Sequence, residues 1–176
     1  KLKLIRDGLN MSFGYSKNDL ATEIAETGWS QKIETGVDTL DEQHRQYFSF
    51  VNDYLNTVGK ITTTNDRHSE LVEKLNFLRR YAIDHFATEQ QLMKDAGDPD
   101  YQQHLAEHKT FLIHVGALCK QLADEGHSDK LTREVYYYAL EWFINHIQSK
   151  DMEAAGFLKQ GYSQTENFAQ PVTQLG

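Results

Sequence analysis

The sequence predicts an all-α protein, an up-down-up-down four-helix bundle with an N-terminal extension and a short C-terminal tail. Three observations predict it. Apolar residues recur at helical spacing in four separate segments, the breaks between those segments are short and carry glycine, proline or capping residues, and no run of strand period or internal repeat accompanies them. The 176 residues, 39% hydrophobic and 25% charged, suit one ordinary domain with extra length at its ends. On this reading residues 1–28 form the extension or linker, 29–160 the bundle and 161–176 the tail.

The extension mixes apolar Leu2, Leu4, Ile5, Leu9 and Phe13 with basic Lys1, Lys3 and Arg6. It reads equally as an amphipathic helix, a linker or a partly ordered arm. Trp29 to Leu40 is an irregular lead-in broken at Gly36. Thr39 with Glu42 matches a capping box, and the helix it opens carries His44, Phe48, Val51, Leu55 and Val58 on one face before Gly59. After the threonine run 62–64, a second helix spans about residues 67–93, with Leu71, Leu78, Tyr81, His85, Glu89 and Leu92 on its inner stripe. Gly97, Asp98 and Pro99 stop it. The third helix runs from about residue 100 to 123, with His104 and His108 on a stripe shared by Leu105, Phe111, Leu112, Val115, Cys119 and Leu122. The fourth opens near Ser128 or Asp129 and passes through Leu131, Val135, Ala139, Trp142 and His146. Beyond Gly156, Phe157 and Leu158 form a short apolar patch, and the Gln- and Thr-rich residues around Pro171 read as a loose tail.

Charge and cysteine content exclude several function classes. A net charge of −8 offers no basic stripe for a phosphate backbone, so a nucleic-acid partner is not expected. No apolar run approaches the ~20 residues of a membrane span, and no signal peptide is visible. The single cysteine, Cys119, forbids an internal disulfide and points to a reducing, cytoplasmic setting. On its apolar stripe it reads as a small hydrophobe rather than a reactive thiol. The chain opens on Lys1, as an excerpt of a longer protein would, and fusion to a signalling domain is one expectation for the missing part.

The histidines carry the functional signal. His85 with Glu89, and His104 with His108, are spaced i, i+4, so each pair stacks on one helix face, and both faces are apolar. A single such pair has an ordinary alternative as core or boundary histidines. The topology changes the balance. His44 lies near the start of the first helix, His85 toward the end of the second, His104 and His108 near the start of the third and His146 near the end of the fourth, so antiparallel packing brings all five to one depth of one core. A buried ionised carboxylate without a partner costs several kcal/mol, which a metal relieves. His114 (about 240° round the helix from His108), His68 and His127 do not fit the cluster. Asp151, five residues after His146, points about 140° away on a regular helix and joins only if the helix widens or ends there; otherwise it reads as a solvated acid beside Lys150 and Glu153.

Five imidazoles with two carboxylates are too many donors for one ion and suit two ions of five or six ligands sharing bridging carboxylates. Imidazole with carboxylate fits iron, whereas zinc usually stops at four ligands. The Glu-x-x-His pairs of ferritin-like di-iron bundles are missing at this depth. A centre rich in imidazole leaves few open positions, which favours binding dioxygen over oxygenation.

Trp29, the lead-in Gly36-Val-Asp-Thr-Leu-Asp-Glu-Gln-His44, His85-Phe-Ala-Thr-Glu89, His104-x-x-x-His108 and His146-Ile-Gln-Ser-Lys-Asp151 together resemble the bacterial hemerythrin family. The resemblance covers about residues 29–160 and includes all seven ligand positions in order. It implies two non-heme irons with an oxo or hydroxo bridge, one held by His104, His108 and His146, the other by His44 and His85, with Glu89 and Asp151 bridging. Dioxygen then binds end-on at the iron with fewer imidazoles and is held as hydroperoxide, with no protein acid or base, so no enzyme is expected. Sensing, storage and delivery of dioxygen are the implied roles; a peroxide or nitric oxide reductase and an iron-storage bundle are the alternatives. Candidate pocket walls are Tyr47, Phe48, Trp142 and Phe143. Two of them depart from the family, since Phe143 is larger than the leucine often found there and Tyr47 brings a hydroxyl toward an aliphatic wall.

Overall fold

In the computed structural model, which describes residues 29–58 and 63–167, the chain enters through a single 3-10 turn, Gln31–Ile33. The expectations for residues 1–28, Gly59, Thr62 and Pro171, and for the side chains of Leu55 and Val58, lie outside the described residues. Ser30 Oγ accepts from Lys32 N (3.2 Å) to cap the turn, and Ile33 is fully buried. The first helix, α1 (Asp38–Val58), then starts differently from the expected Thr39–Glu42 capping box. Asp41 reaches back instead: Oδ1 accepts from Thr35 N (2.7 Å) and Thr35 Oγ1 (2.8 Å), and Oδ2 from Gly36 N (2.9 Å). Gly36 takes φ +74°, which a residue without Cβ adopts without strain, and Lys159 Nζ donates to Thr35 O across the fold (2.8 Å).

Helix α2 (Thr64–Ala96) is capped by Thr63, whose Oγ1 accepts from Asp66 N (3.1 Å). It stops at Gly97, at φ +71°, whose N–H returns to Lys94 O while Asp98 N returns to Met93 O (2.9 Å). Helix α3 (Tyr101–Glu125) follows at once, and three residues after it Ser128 caps α4 (Asp129–Tyr136) through Leu131 N (3.1 Å). With connections this short, successive rods run antiparallel, and α1 packs on α2, α2 on α3 and α3 on α4. The bundle is the architecture the sequence predicts. None of these helices is long and apolar enough to cross a membrane.

The fourth rod is not a uniform α-helix. From α4 it passes without a break through a π segment, Tyr137–Trp142, a short α5 (Phe143–His146), a second π segment, Ile147–Asp151, and α6 (Met152–Asn167). Gly156 lies inside α6, Leu158 of the apolar patch after it is buried, and the helix passes residue 160, where the sequence placed the bundle boundary. Wide turns of this kind hold an extra residue and re-aim the side chains beyond them. In the first, the Ala139 carbonyl accepts from the hydroxyl of Tyr47, a fully buried residue of α1. Tyr47→Phe is therefore expected to lower stability by about 1 kcal/mol, read as a shift of the urea midpoint at constant slope.

The core is an aromatic column. Tyr47 stacks on Phe143 (4.4 Å between centroids), Tyr81 lies 4.5 Å from Tyr47, and Phe86 meets Phe111 edge-on at 5.5 Å. Leu71, Leu75, Leu78, Val115, Leu131 and Val135 fill the end of the bundle away from the histidines.

Candidate metal centre

The inner faces of the four rods place seven polar side chains in one layer above this column. α1 supplies His44, α2 His85 and Glu89, α3 His104 and His108, α5 His146, and the second π segment Asp151; each is at most 3% exposed. Asp151 arrives because the helix widens. A π turn bonds residue i to i+5, so the fifth residue after His146 returns to the His146 face, where a regular helix would have turned it away. Of the sequence alternatives for Asp151, solvation and inclusion, the backbone takes inclusion.

The donors fall into two groups, His104, His108, His146, Glu89 and Asp151 in one, and His44, His85 and Asp151 in the other. Within the first, Nε2 of His146 lies 3.0 Å from that of His104 and 2.9 Å from that of His108. Glu89 Oε2 lies 3.3 Å from both His104 and His108, and Asp151 Oδ1 is 3.1 Å from His146 and 3.3 Å from His104. In the second group, the Nε2 atoms of His44 and His85 are 3.2 Å apart, with Asp151 Oδ2 3.4 and 3.9 Å away. The two oxygens of Asp151 thus face different groups.

These separations fit metal ligation. Two ligands at right angles, each about 2.1 Å from one ion, lie about 3 Å apart. All four carboxylate oxygens of Glu89 and Asp151 are buried without a hydrogen-bond partner, a costly arrangement that a cation relieves. The outward nitrogens are oriented in turn. His85 Nδ1 lies 3.0 Å from Gln43 Oε1, and His108 Nδ1 lies 2.9 Å from the Gln90 amide, which accepts from an Nδ1–H once its Oε1 is turned inward. Glu107 stands 3.3 Å from His146 Nδ1, within ion-pair distance but not aligned for a hydrogen bond.

The electrostatics agree with a site built for positive charge. Burial alone would lower His104, but Asp151 and Glu89 outweigh it and push the imidazole up to about 10. For His108 burial wins over Glu89, and the group falls to about 4; burial lowers His85 as well. Burial would raise Asp151 and Glu89, yet the surrounding imidazoles hold both below the usual carboxylate range. Both acids therefore stay ionised at neutral pH.

The candidate walls divide. Phe143 is buried against His85 (5.7 Å), and half-buried Trp142 stacks flat on His146 (4.6 Å, 13°). Tyr47 meets the site through Phe143, its hydroxyl committed to Ala139, while Phe48 packs edge-on against Tyr47 (5.2 Å). Sequence reasoning missed Phe86, which stacks on His108 at 3.7 Å and 6°, and the amides of Gln43 and Gln90. Their adjacency to His44, His85 and Glu89 was the available signal. The remaining histidines stay outside: His114 is exposed beside Thr110 O (2.9 Å), His127 pairs with Thr132 Oγ1 (3.0 Å), and His68 is half-buried at the far end of α2. Cys119 is half-buried, and burial pushes its thiol up.

Comparison with known proteins agrees with the geometry. Residues 35–158 match the family model of the hemerythrin HHE cation binding domain. The chain is similar to a bacteriohemerythrin of Stenotrophomonas maltophilia, 27% identical over 137 residues that cover 77% of this chain and 84% of that one. A bacteriohemerythrin of Clostridium acetobutylicum is 26% identical over 71% of this chain and 95% of its own. A myohemerythrin of Theromyzon tessulatum is 27% identical over 74% of this chain and 92% of its own. No solved structure matches. With the family model spanning well over half of the sequence and the bundle and donor set already in place, the chain belongs to the hemerythrin family.

Proposed function

We infer that this chain is a non-heme di-iron domain that binds dioxygen reversibly, for sensing, storage or delivery. The observation that carries the reading is the pair of buried donor groups joined through Asp151, with all four carboxylate oxygens unpartnered. His104, His108 and His146 would hold one ion and His44 and His85 the other, with Glu89 and Asp151 between them. Imidazole-rich, carboxylate-bridged sites of this kind suit iron. A pair of ferrous ions held there would supply reversible two-electron chemistry toward dioxygen.

The protein's own contribution is orientation and dryness. Gln43 and Gln90 fix the rings of His85 and His108 so that Nε2 faces inward. Phe86, Phe143 and Trp142 wall the imidazoles with apolar surface, which excludes water and the protons that would drive loss of reduced oxygen. The imidazole-rich donor set, which leaves few open positions on the ions, favours a carrier or sensor over an enzyme. The lone cysteine and the need for ferrous iron favour a reducing, cytoplasmic compartment, and fusion to a signalling domain would make the domain a sensor.

Titrating the reduced, iron-loaded protein with dioxygen without other oxidants tests the reading. A ligand-to-metal charge-transfer band that appears with oxygen and disappears under argon is expected. Turnover of added peroxide or nitric oxide would instead mark an enzyme, and freely exchanging iron without a band a storage bundle.

A further inference from the structure

One buried polar group beside the centre has no part in holding it. The Tyr81 hydroxyl is closed off from solvent and has no hydrogen-bond partner, although the residue as a whole is only half-buried, so its hydroxyl is the inner end. The ring stacks on His85 (5.4 Å, 16°) and lies 4.5 Å from Tyr47 and 5.6 Å from Phe143. Tyr81 stands one turn before His85, and Tyr47 one turn after His44. In antiparallel rods both fall in the layer beneath the two-histidine group, where Phe143, one turn before His146, joins them.

Within that layer the donors differ in commitment. Tyr47 gives its proton to the Ala139 carbonyl, and Phe143 has none to give. Neither Glu89 nor Asp151 accepts from Tyr81, because all four of their oxygens lack partners. A phenol keeps its proton at neutral pH, so the Tyr81 hydroxyl is a donor without an acceptor. A buried hydroxyl left unbonded costs free energy that an incoming acceptor restores.

We propose that Tyr81 is the hydrogen-bond donor to a small ligand with an accepting atom, dioxygen or an anion such as azide, held on the two-histidine side of the centre. The proposal rests on the di-iron reading above and deepens it. It also implies selectivity. A ligand that gathers negative charge on its outer atom gains from the phenol, whereas carbon monoxide, a poor acceptor, does not.

The test compares Tyr81→Phe with the natural chain, each carrying two irons. In the diferric form, azide affinity is expected to fall about tenfold and the infrared stretch of bound azide to move; in the diferrous form, dioxygen release should quicken by a similar factor. Placing 3-fluorotyrosine at position 81, which makes a stronger donor, should tighten azide binding. The ion-free Tyr81→Phe protein should melt no lower than the natural one, since the group removed has no partner. Unchanged azide affinity and stretch in Tyr81→Phe would overturn the proposal, and so would a lower melting temperature of its ion-free form, which would mark a structural bond. If azide discriminates between the variants while the natural chain fails to release dioxygen reversibly, Tyr81 keeps its role and the oxygen-carrier reading falls.

Discussion

Replacing His146 with alanine is expected to strip iron from the chain, while His114→Ala keeps two ions. His146 Nε2 is the hub of the three-histidine group, within 3.1 Å of His104, His108 and Asp151. Removing it deletes one donor and takes away the strongest influence lowering Asp151, the carboxylate that faces both groups. Loss of a residue that merely orients a ligand weakens metal binding about 10- to 100-fold, so loss of the ligand itself should exceed about 100-fold. His114 provides the contrast, being exposed, beside Thr110 O and stacked on Tyr138 (5.3 Å), outside both donor groups. Iron per chain after desalting against a weak chelator measures both. Equal content in the two variants would remove His146 from the ligand set.

What the sequence made legible follows from the period of the helix. Spacing of i, i+4 puts His104 over His108 and Glu89 over His85, and short connections oblige the rods to alternate, so convergence of the imidazoles could be read without coordinates. Asp151 could not be settled from the residues alone, because 3.6 residues per turn send it away from His146, and no residue between them announces a π turn. The resemblance to a family supplied what periodicity withheld. The start of α1 was misjudged for a related reason. Thr39 and Glu42 carry the capping-box pattern, but Asp41 has the shorter reach to three donors of the Thr35–Gly36 turn, and a side chain that satisfies three donors outcompetes one that satisfies a single N–H.

The aromatic layer was half visible. Phe143 and Trp142 flank His146 in sequence and were natural candidates, whereas Phe86 follows His85 yet stacks on His108 of the neighbouring rod, a contact that depends on how the rods are rotated against each other. Tyr47 shows the same limit. Its position one turn from His44 suggested a hydroxyl at the site, but the widened turn at Ala139 offers a carbonyl that takes it elsewhere. The π segments thus account for both a gained carboxylate and a diverted phenol.

Chelating the iron is expected to lower the melting temperature by about 15 °C. The ions join all four rods, and a ligand present at a thousand times its dissociation constant adds about 4 kcal/mol, each kcal/mol being worth roughly 3–5 °C in a domain of this size. The stripped protein should also acquire a pH dependence that the loaded one lacks. His104 has its pKa raised in the folded, ion-free chain from an unfolded value near 6.5 to about 10. Stability from its contact with Asp151 and Glu89 is then complete below pH 6.5 and fades as the pH rises toward 10. In the iron form that nitrogen is bound to metal and carries no proton to lose, so its curve should stay flatter over the same window. Calorimetric scans of both forms between pH 6.5 and 10 separate the cases. A melting temperature indifferent to chelation would mean that the seven side chains meet without a metal between them; two parallel pH curves would mean that His104 is not the group whose proton the iron displaces.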